Sequence, residues 1–308
     1  MEFSHCPVML RECVDALQIK PDGLYVDCTA GGGGHSCEIA FRLDPSAGGH
    51  LIAIDRDPEA IEACRERLER FADRVELVND NFINLEKILQ GRRPDGVLAD
   101  LGVSSHQIDS PERGFSYSGD APLDMRMNRE DGLSAKDVVN LYSEERLARI
   151  IYDYGEERFA RRIAAEIVRR RAASPIETTF ELSETVSLAV PVKERGGNPA
   201  KRTFQAIRIE VNGELDVIEP TVRAIAAALR PGGRVAVITF HSLEDRIVKN
   251  TLNDLCTGCV CPPDFPACVC GRRPVLEKVT RKPILPSDEE IKKNKRSHSA
   301  KLRVAQKL

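Results

Sequence analysis

The sequence predicts an α/β domain with a parallel sheet, interrupted by a mostly helical insertion. Short apolar strands alternate with helices between residues 24 and 101, and a glycine-rich loop follows the first strand. The strand pattern then stops near residue 110 and returns only near residue 213. Because strands that alternate with helices form parallel sheets covered on both faces, the two outer stretches belong to one sheet domain.

The individual elements follow from hydrophobic pattern and capping residues. Apolar runs predict strands at 24–28, 51–55, 74–78, 96–101 and 234–240. Helical patterns cover 34–43, 58–71, 143–172, 214–229 and 243–255, and Pro58 suits a first helical turn. We therefore assign residues 1–110 and 213–308 to the sheet domain and 111–212 to the insertion.

Composition limits the class of protein. The 308 residues are 42% apolar, yet they contain no run of 18 or more apolar residues, which disfavours a membrane span. The first residues, MEFSHCPVML, lack the basic and apolar regions of a secretory signal, so we expect a cytoplasmic protein. The ten cysteines are then expected to be thiols or metal ligands.

The loop DCTAGGGGHS (27–36) is the strongest local motif. It follows a strand and opens a helix, a position that directs backbone N–H groups towards a ligand beyond the carboxyl ends of the strands. Asp55 ends the second strand, where a carboxylate can accept hydrogen bonds from ribose hydroxyls. The motif therefore predicts a nucleotide-like ligand, and a glycine-rich turn without a ligand is the alternative.

The spacing of the loop favours a cationic ligand. A dinucleotide fingerprint needs Gly or Ala where Ser36 or Cys37 stands, which disfavours a nicotinamide enzyme. No P-loop lysine follows the glycines, which disfavours ATP. The pattern D-x-x-x-G-x-G does fit Asp27, Gly31 and Gly33. An acid there repels a pyrophosphate and suits the amino and sulfonium groups of S-adenosylmethionine.

Eight stretches in order along the chain carry a family resemblance. They are HCPVML (5–10), DCTAGGGGHS (27–36), AIDRDPEAI (53–61), DLGVSSHQID (100–109), RGFSY with PLDMRM (113–127), NPAKRTFQAIRIEVNGEL (198–215), TFHSLEDRIVK (239–249) and RSHSAKLR (296–303). The sequence thus resembles the bacterial small-subunit ribosomal RNA methyltransferase H family (RsmH, also called MraW). The resemblance implies a Rossmann-like, S-adenosylmethionine-dependent methyltransferase domain with a helical insertion, which methylates the exocyclic N4 of a cytidine in the decoding region of 16S rRNA.

The resemblance also implies a set of cofactor-binding residues. These are Gly33, Gly34, His35, Asp55, Phe82, Asp100 and Gln107. An aromatic ring at Phe82 can pack on adenine, although an ordinary core phenylalanine is the alternative. Gln107 is expected in an irregular loop, where a surface glutamine is the default.

Asp100 and His241 are the candidate catalytic residues. The lone pair of a cytosine N4 is delocalised into the ring, so the amine needs an acceptor that localises it and takes a proton after attack. Asp100 follows the fourth strand and His241 the fifth, at the same edge of the sheet. The alternatives are that Asp100 only orients the cofactor and that His241 only bonds its own loop. The prolines and aromatic residue that many amino-methyltransferases carry after the fourth strand are missing from DLGVSS.

The expected macromolecular partner is 16S rRNA within the small ribosomal subunit. Lys201, Arg202 and Arg208 are the candidate RNA contacts. Residues 271–308 contain 12 Lys/Arg and 4 Asp/Glu, a net charge of +8 that leaves −11 for the rest of the chain. Such a basic tail can bind nucleic acid, and a solvated surface segment is the alternative.

A cysteine-rich segment near the C-terminus predicts a metal site. Cys259, Cys261, Cys268 and Cys270 form two C-x-C pairs, whose thiolates could hold a structural Zn²⁺ tetrahedrally. A thiol-rich loop stiffened by Pro262, Pro263 and Pro266 is the alternative.

Two other functions stay open from the sequence alone. One is methylation of another nucleic acid, including DNA. The other is a non-catalytic RNA-binding or ribosome assembly factor, against which the set of Asp27, Gly31, Gly33 and Asp55 argues. The sequence also leaves open whether the chain forms a homodimer.

Overall fold

The structure, a computed structural model, describes residues 7–191, 197–262 and 267–308. Within them the strands are β1 (Leu24–Asp27), β2 (His50–Asp55), β3 (Val75–Asn79), β4 (Gly96–Asp100), β5 (Arg234–Thr239), β6 (Leu276–Lys278) and β7 (Lys301–Lys307). The helices are α1 (Leu10–Leu17), α2 (Gly34–Arg42), α3 (Pro58–Leu68), α4 (Leu85–Leu89), α5 (Ser105–Asp109), α6 (Ala135–Leu141), α7 (Glu144–Asp153), α8 (Ala160–Ala173), α9 (Thr179–Ala189), α10 (Lys201–Asn212), α11 (Ile218–Ala228), α12 (Ser242–Cys256) and α13 (Asp288–Lys293). No helix in these ranges has the length and apolar character needed to cross a membrane.

The chain divides into two compact units. The sheet unit comprises Met1–Gly102 and Leu215–Leu308, and the helical unit comprises Val103–Glu214. The sequence placed the corresponding boundaries at residues 110/111 and 212/213. The earlier start of the helical unit assigns α5, which directly follows β4, to that unit.

The sheet has the order β3-β2-β1-β4-β5-β7-β6. Strands β1 to β5 are parallel, with Val26 beside Ile52 and Val97, whereas β7 runs antiparallel between β5 and β6. The predicted Rossmann-like α/β fold is therefore confirmed. Because parallel strands end at one edge, Asp27, Asp55 and Asp100 come to the same edge of the sheet.

Alternate strand residues supply two cores, one on each face of the sheet. Val26, Ile52 and Val97 pack with residues of α4, α11 and α12 on one face. Tyr25, Leu51 and Leu98 pack with residues of α1, α2 and α3 on the other. Burial on both faces explains why these strands are continuous apolar runs.

The helical unit has a core of its own. Helices α6 to α10 contribute most of its buried residues, such as Val138, Leu147 and Ile163. Asn212 at the end of α10 accepts a hydrogen bond from the Met127 N–H at 2.8 Å and donates one to the Met125 carbonyl at 2.8 Å. The irregular segment before α6 is thereby attached to a helix far away in sequence.

One predicted element is wrong, and one segment has structure that the sequence did not predict. The single helix expected at 143–172 is broken between α7 and α8, where a Cβ on Gly155 would lie 2.6 Å from the Ile151 carbonyl and 2.8 Å from the Arg202 carbonyl. The expected basic tail contains two strands, β6 and β7, and Lys301 and Arg303 of β7 both bind Asp245 of α12. Part of the tail's positive charge is thus neutralised inside the sheet unit.

Candidate active site

The glycine loop between β1 and α2 needs glycine for both conformation and space. Gly31 and Gly33 have φ of 51° and 74°, in the left-handed region that other residues rarely adopt. A Cβ on Gly33 would lie 3.3 Å from the sulfur of Cys64. A Cβ on Gly34 would lie 2.2 Å from Cγ of Pro7, so the segment before α1 packs directly on the loop.

Asp55 holds the glycine loop against the end of β2. Its Oδ2 accepts a hydrogen bond from the Gly31 N–H at 2.8 Å, and its Oδ1 accepts one from the Asp57 N–H at 2.9 Å. Burial raises the pKa of Asp55 to about 6 despite these two donors. Each carboxylate oxygen can accept a further bond, so the residue fits its predicted role of binding ribose hydroxyls.

The carboxylate of Asp27 is not accessible to a ligand. Its carboxylate is fully buried, and its oxygens accept hydrogen bonds from the Thr29 N–H at 3.1 Å and the Ser36 hydroxyl at 2.7 Å. Burial raises its pKa, which the hydrogen bonds and nearby His35 partly offset. The acid that the sequence predicted beside a cationic ligand thus acts on the site through its charge and through the loop that it holds.

Asp100 presents an unsatisfied carboxylate oxygen. Its backbone N–H donates to the Thr29 hydroxyl at 2.6 Å, which fixes the end of β4 to the loop after β1. Its Oδ1 is buried, and no described residue gives it a hydrogen bond. Burial, followed by the charges of Asp27 and Glu244, raises its pKa well above the usual range. A buried acceptor without a donor is costly, so a donor or a positive charge on a ligand would stabilise this carboxylate.

His35 faces Asp100 across the start of α2. Burial lowers the pKa of its imidazole, which is then neutral at pH 7. Its Nε2 lies 3.1 Å from the carbonyl oxygen of Val8, and a carbonyl can only accept, so Nε2 carries the proton. Nδ1 is therefore an acceptor, 3.8 Å from Oδ2 of Asp100. Two acceptors that face each other suit a ligand that brings a donor.

Phe82 and Gln107 lie on short helical turns beyond strand ends. Phe82 begins a 3₁₀ turn three residues after β3, and its partly buried ring packs against the core of the sheet unit. The irregular loop predicted around Gln107 is wrong. Gln107 belongs to α5, is 4% exposed, and exchanges hydrogen bonds with Ser104 in a capping box.

His241 is the residue that precedes α12, directly after β5. Its Nε2 lies 3.0 Å from Oε1 of Glu244, an approach that becomes an ion pair when the imidazole is protonated. Neither ring nitrogen makes a well-aligned hydrogen bond to a described residue. Glu244 is 1% exposed, and its Oε2 accepts hydrogen bonds from the N–H groups of Phe240 and His241.

The three candidate RNA contacts occupy different environments in the helical unit. Lys201 and Arg202 are exposed in the first turn of α10, where Arg202 donates to the Glu156 carbonyl at 3.2 Å. Arg208 instead binds Glu214 through two hydrogen bonds of 2.8 Å, and its side chain is largely buried. The Arg208 guanidinium is thus engaged within the fold.

The four cysteines named above lie together. Their sulfur atoms are all within 4.8 Å of one another. Pro262 is described, whereas Pro263 and Pro266 lie outside the described residues.

Three residues of the sheet edge were not identified from the sequence. Thr29 accepts from Asp100, Ser36 donates to Asp27, and Glu244 holds the start of α12. A pattern did exist for Glu244, because a glutamate at the third position of a helix often accepts from the N–H of the capping residue. Thr29 and Ser36 carry no such pattern.

The sheet order and the glycine loop bound to Asp55 define the class of this protein, a Rossmann-like α/β protein with a candidate ligand site at the carboxyl edge of its sheet. The MraW methylase family model matches residues 2–308, and the chain belongs to that family.

Named relatives are similar over the whole chain. Ribosomal RNA small subunit methyltransferase H of Lachnospira eligens is 53% identical over 313 residues, covering 100% of this chain and 99% of the relative. The protein of the same name from Clostridioides difficile is 54% identical and covers 100% of both. The crystal structure of a putative rRNA-methylase from Clostridium thermocellum has 13% identity and a TM-score of 0.45, covering 99% of this chain and 100% of that one.

Proposed function

We propose that this chain transfers a methyl group from S-adenosylmethionine to the exocyclic N4 of a cytidine in the decoding region of 16S rRNA. The full-length identity of 53–54% to proteins named for ribosomal RNA small subunit methylation carries the choice of substrate class. The resemblance of eight motifs, in order along the chain, to the RsmH family supports the choice of cytidine N4 as the methylated group.

The residues at the sheet edge fit S-adenosylmethionine. Backbone N–H groups of Gly33 and Gly34 open α2, Asp55 accepts ribose hydroxyls, and Phe82 packs near adenine. The unsatisfied Oδ1 of Asp100 accepts from the positively charged part of the ligand. When bound, S-adenosylmethionine supplies a methyl group on a cationic sulfur, which is neutralised as the methyl leaves.

Asp100 and His241 take separate roles in this proposal. A positive charge beside Asp100 lowers the pKa of its carboxyl and holds it ionised, so Asp100 orients the ligand. The methylated N4 must lose one proton, so a proton acceptor is required. His241 is our candidate for that role because it follows β5 at the carboxyl edge of the sheet, and neither of its ring nitrogens makes a well-aligned hydrogen bond to a described residue.

The helical unit supplies RNA contacts in this proposal. A base within folded RNA must leave its stack to reach an enzyme, at a cost of a few kcal/mol, and the flanking phosphates must be held. Lys201 and Arg202 are exposed at the start of α10 and serve that purpose. Arg208 contributes by keeping α10 attached to Glu214.

The test is transfer of tritium from labelled S-adenosylmethionine to small subunits that lack this modification, followed by nucleoside analysis. We expect label in N4-methylcytidine. Naked 16S rRNA and DNA are tested in parallel, and preferential labelling of DNA would overturn the proposed substrate. Binding of the cofactor without any labelling would instead favour an RNA-binding assembly factor.

A second experiment tests the RNA contacts. Lys201→Ala and Arg202→Ala are each expected to lower affinity for the substrate RNA and to reduce the slope of log affinity against log salt by about 1. Arg149→Ala, at an exposed position on α7, is the matched control. An equal loss in the control would contradict a specific role for α10.

A further inference from the structure

The cysteine cluster after α12 has the dimensions of a tetrahedral metal site. The sulfur of Cys259 lies 3.3 Å from that of Cys268 and 3.7 Å from that of Cys270, and the last two are 3.6 Å apart. A Zn²⁺ ion with four sulfur ligands at about 2.3 Å separates those sulfurs by about 3.8 Å. The three distances are close to the edges of that tetrahedron, and the sulfur of Cys261 completes the set within 4.8 Å.

Backbone N–H groups point at the sulfurs in a repeated arrangement. The Cys261 N–H donates to the sulfur of Cys259 at 3.4 Å, two residues earlier. The backbone N–H groups of Arg272 and Val260 lie near the sulfur of Cys270 and favour its thiolate form. Hydrogen bonds of this kind stabilise thiolates and orient metal ligands. Both halves of the segment are therefore shaped around their sulfur atoms.

The described part of the cysteine segment between α12 and β6 has few stabilising interactions apart from those of its sulfur atoms. Val260 and Val269 are 57% and 74% exposed, and the four sulfurs lie outside the hydrophobic cores. Its attachment to the domain comes from Arg272, which binds both the backbone and the side chain of Asp254 in α12. A compact arrangement without a core is typical of sites that a metal or a covalent link stabilises.

We propose that Cys259, Cys261, Cys268 and Cys270 bind one Zn²⁺ ion, which joins the end of α12 to β6. On binding, four thiols release four protons and form four zinc–sulfur bonds, and no group is oxidised or reduced. Since all four ligands come from the protein, no coordination position is open to a substrate, and the ion is structural.

The site is distant from the candidate active site along α12. His241 precedes this helix and Cys256 ends it, and 15 helical residues span about 22 Å. The zinc proposal therefore does not depend on the proposed methyl transfer, and each can fail alone.

The test is metal analysis of the full chain, purified under reducing conditions without chelator. We expect one zinc per chain. Cys261→Ser and Cys268→Ser are each expected to abolish stoichiometric zinc, whereas the control Cys256→Ser retains it. Absence of zinc from the unmodified chain, or iron in its place, would overturn the assignment, as would retention of zinc by both cluster variants.

Cobalt substitution and proteolysis give independent readouts. Co²⁺ in the site is expected to show the absorption of tetrahedral thiolate coordination, and removal of the metal is expected to accelerate cleavage between α12 and β6. A disulfide within the cluster of the chain as purified under reducing conditions, or a cleavage rate that chelation leaves unchanged, would contradict the proposal.

Discussion

The edge of the sheet and the cysteine segment hold their polar groups in opposite ways. At the edge, Asp27 is buried and Asp55 is partly buried, and both carboxylates accept hydrogen bonds from backbone N–H groups of the loop after β1. Asp100 is fixed through its own N–H, which donates to the Thr29 hydroxyl. In the cysteine segment, the sulfurs of Cys259, Cys268 and Cys270 are exposed and mainly contact one another. The two regions begin at opposite ends of α12.

This difference indicates which of the two sites is formed by the fold alone and which depends on a bound ligand. The sheet unit has apolar cores on both faces that keep carboxylates in a partly desolvated environment, so we expect the proposed ligand site to form before any ligand binds. The cysteine segment lacks such a core, so we expect its order to depend on the proposed metal. Four predictions test this contrast, from the largest expected effect to the smallest.

The largest effect is expected from Asp100→Asn. Loss of the negative charge should weaken binding of S-adenosylmethionine about 10- to 100-fold, the range for a hydrogen bond to a charged group. Removal of a buried, unsatisfied carboxylate should leave thermal stability unchanged or higher. Calorimetric binding and thermal unfolding measure the two quantities.

A control tests whether loss of any negative charge, rather than that of Asp100 in particular, weakens cofactor binding. Asp73→Asn changes an exposed carboxylate paired with Arg74, and cofactor affinity should not change. Normal affinity in Asp100→Asn, or a large loss of its stability, would contradict a preformed ligand site at the end of β4.

The next largest effect is expected from Gly33→Ala. A left-handed alanine should lower the free energy of unfolding by about 1–2 kcal/mol, and contact with Cys64 should shift the loop and weaken cofactor binding. Gly48→Ala is the matched control, since Gly48 has φ of 92° but nothing within 4 Å of an added Cβ. Equal cofactor affinity in the two variants would show that the loop is not shaped for a ligand.

The raised pKa of Asp55 predicts opposite pH dependences for stability and binding. Between pH about 4 and 6 the folded protein retains a proton that the unfolded chain has lost, so the contribution of Asp55 makes the free protein less stable as pH rises. Cofactor affinity should increase over the same range, because ribose hydroxyls need the ionised carboxylate. Asp55→Asn should flatten both profiles, and unchanged profiles in this variant would refute the assignment.

The smallest effect tests whether the two regions are independent. Cys268→Ser, which removes the proposed zinc, should change cofactor affinity by less than about twofold, because distant sites act additively. Asp100→Asn should retain its zinc. Loss of cofactor binding together with zinc would show that the two ends of α12 are coupled.

Local pattern was sufficient to predict the positions of the carboxylates. Asp55 and Asp100 each end an apolar run, and the carboxyl ends of parallel strands share one edge. The glycines opening α2 and the four clustered cysteines were also evident from spacing. These features depend on residues near one another in sequence or on the general geometry of parallel sheets.

Long-range partners determined what the sequence did not predict. Strand β7 has a basic composition, and only its pairing with β5, some 60 residues earlier, shows that it lies within the sheet. Gly155 breaks a helical pattern because the Arg202 backbone approaches it. The closure of Asp27 depends on Ser36, a contact between two neighbouring elements that no spacing rule specifies.

The most direct test of the central claim, that buried carboxylates preform a site for a cationic methyl donor, is the number of protons released when S-adenosylmethionine binds. Calorimetry at several pH values, each in buffers of different ionisation enthalpy, gives that number as a function of pH. A positive charge on the ligand lowers the pKa of Asp100, so we predict that the unmodified chain releases protons on binding. Asp100→Asn, measured at ligand concentrations above its own Kd, should release fewer protons. Equal release by the two proteins, or none by either, would contradict the account.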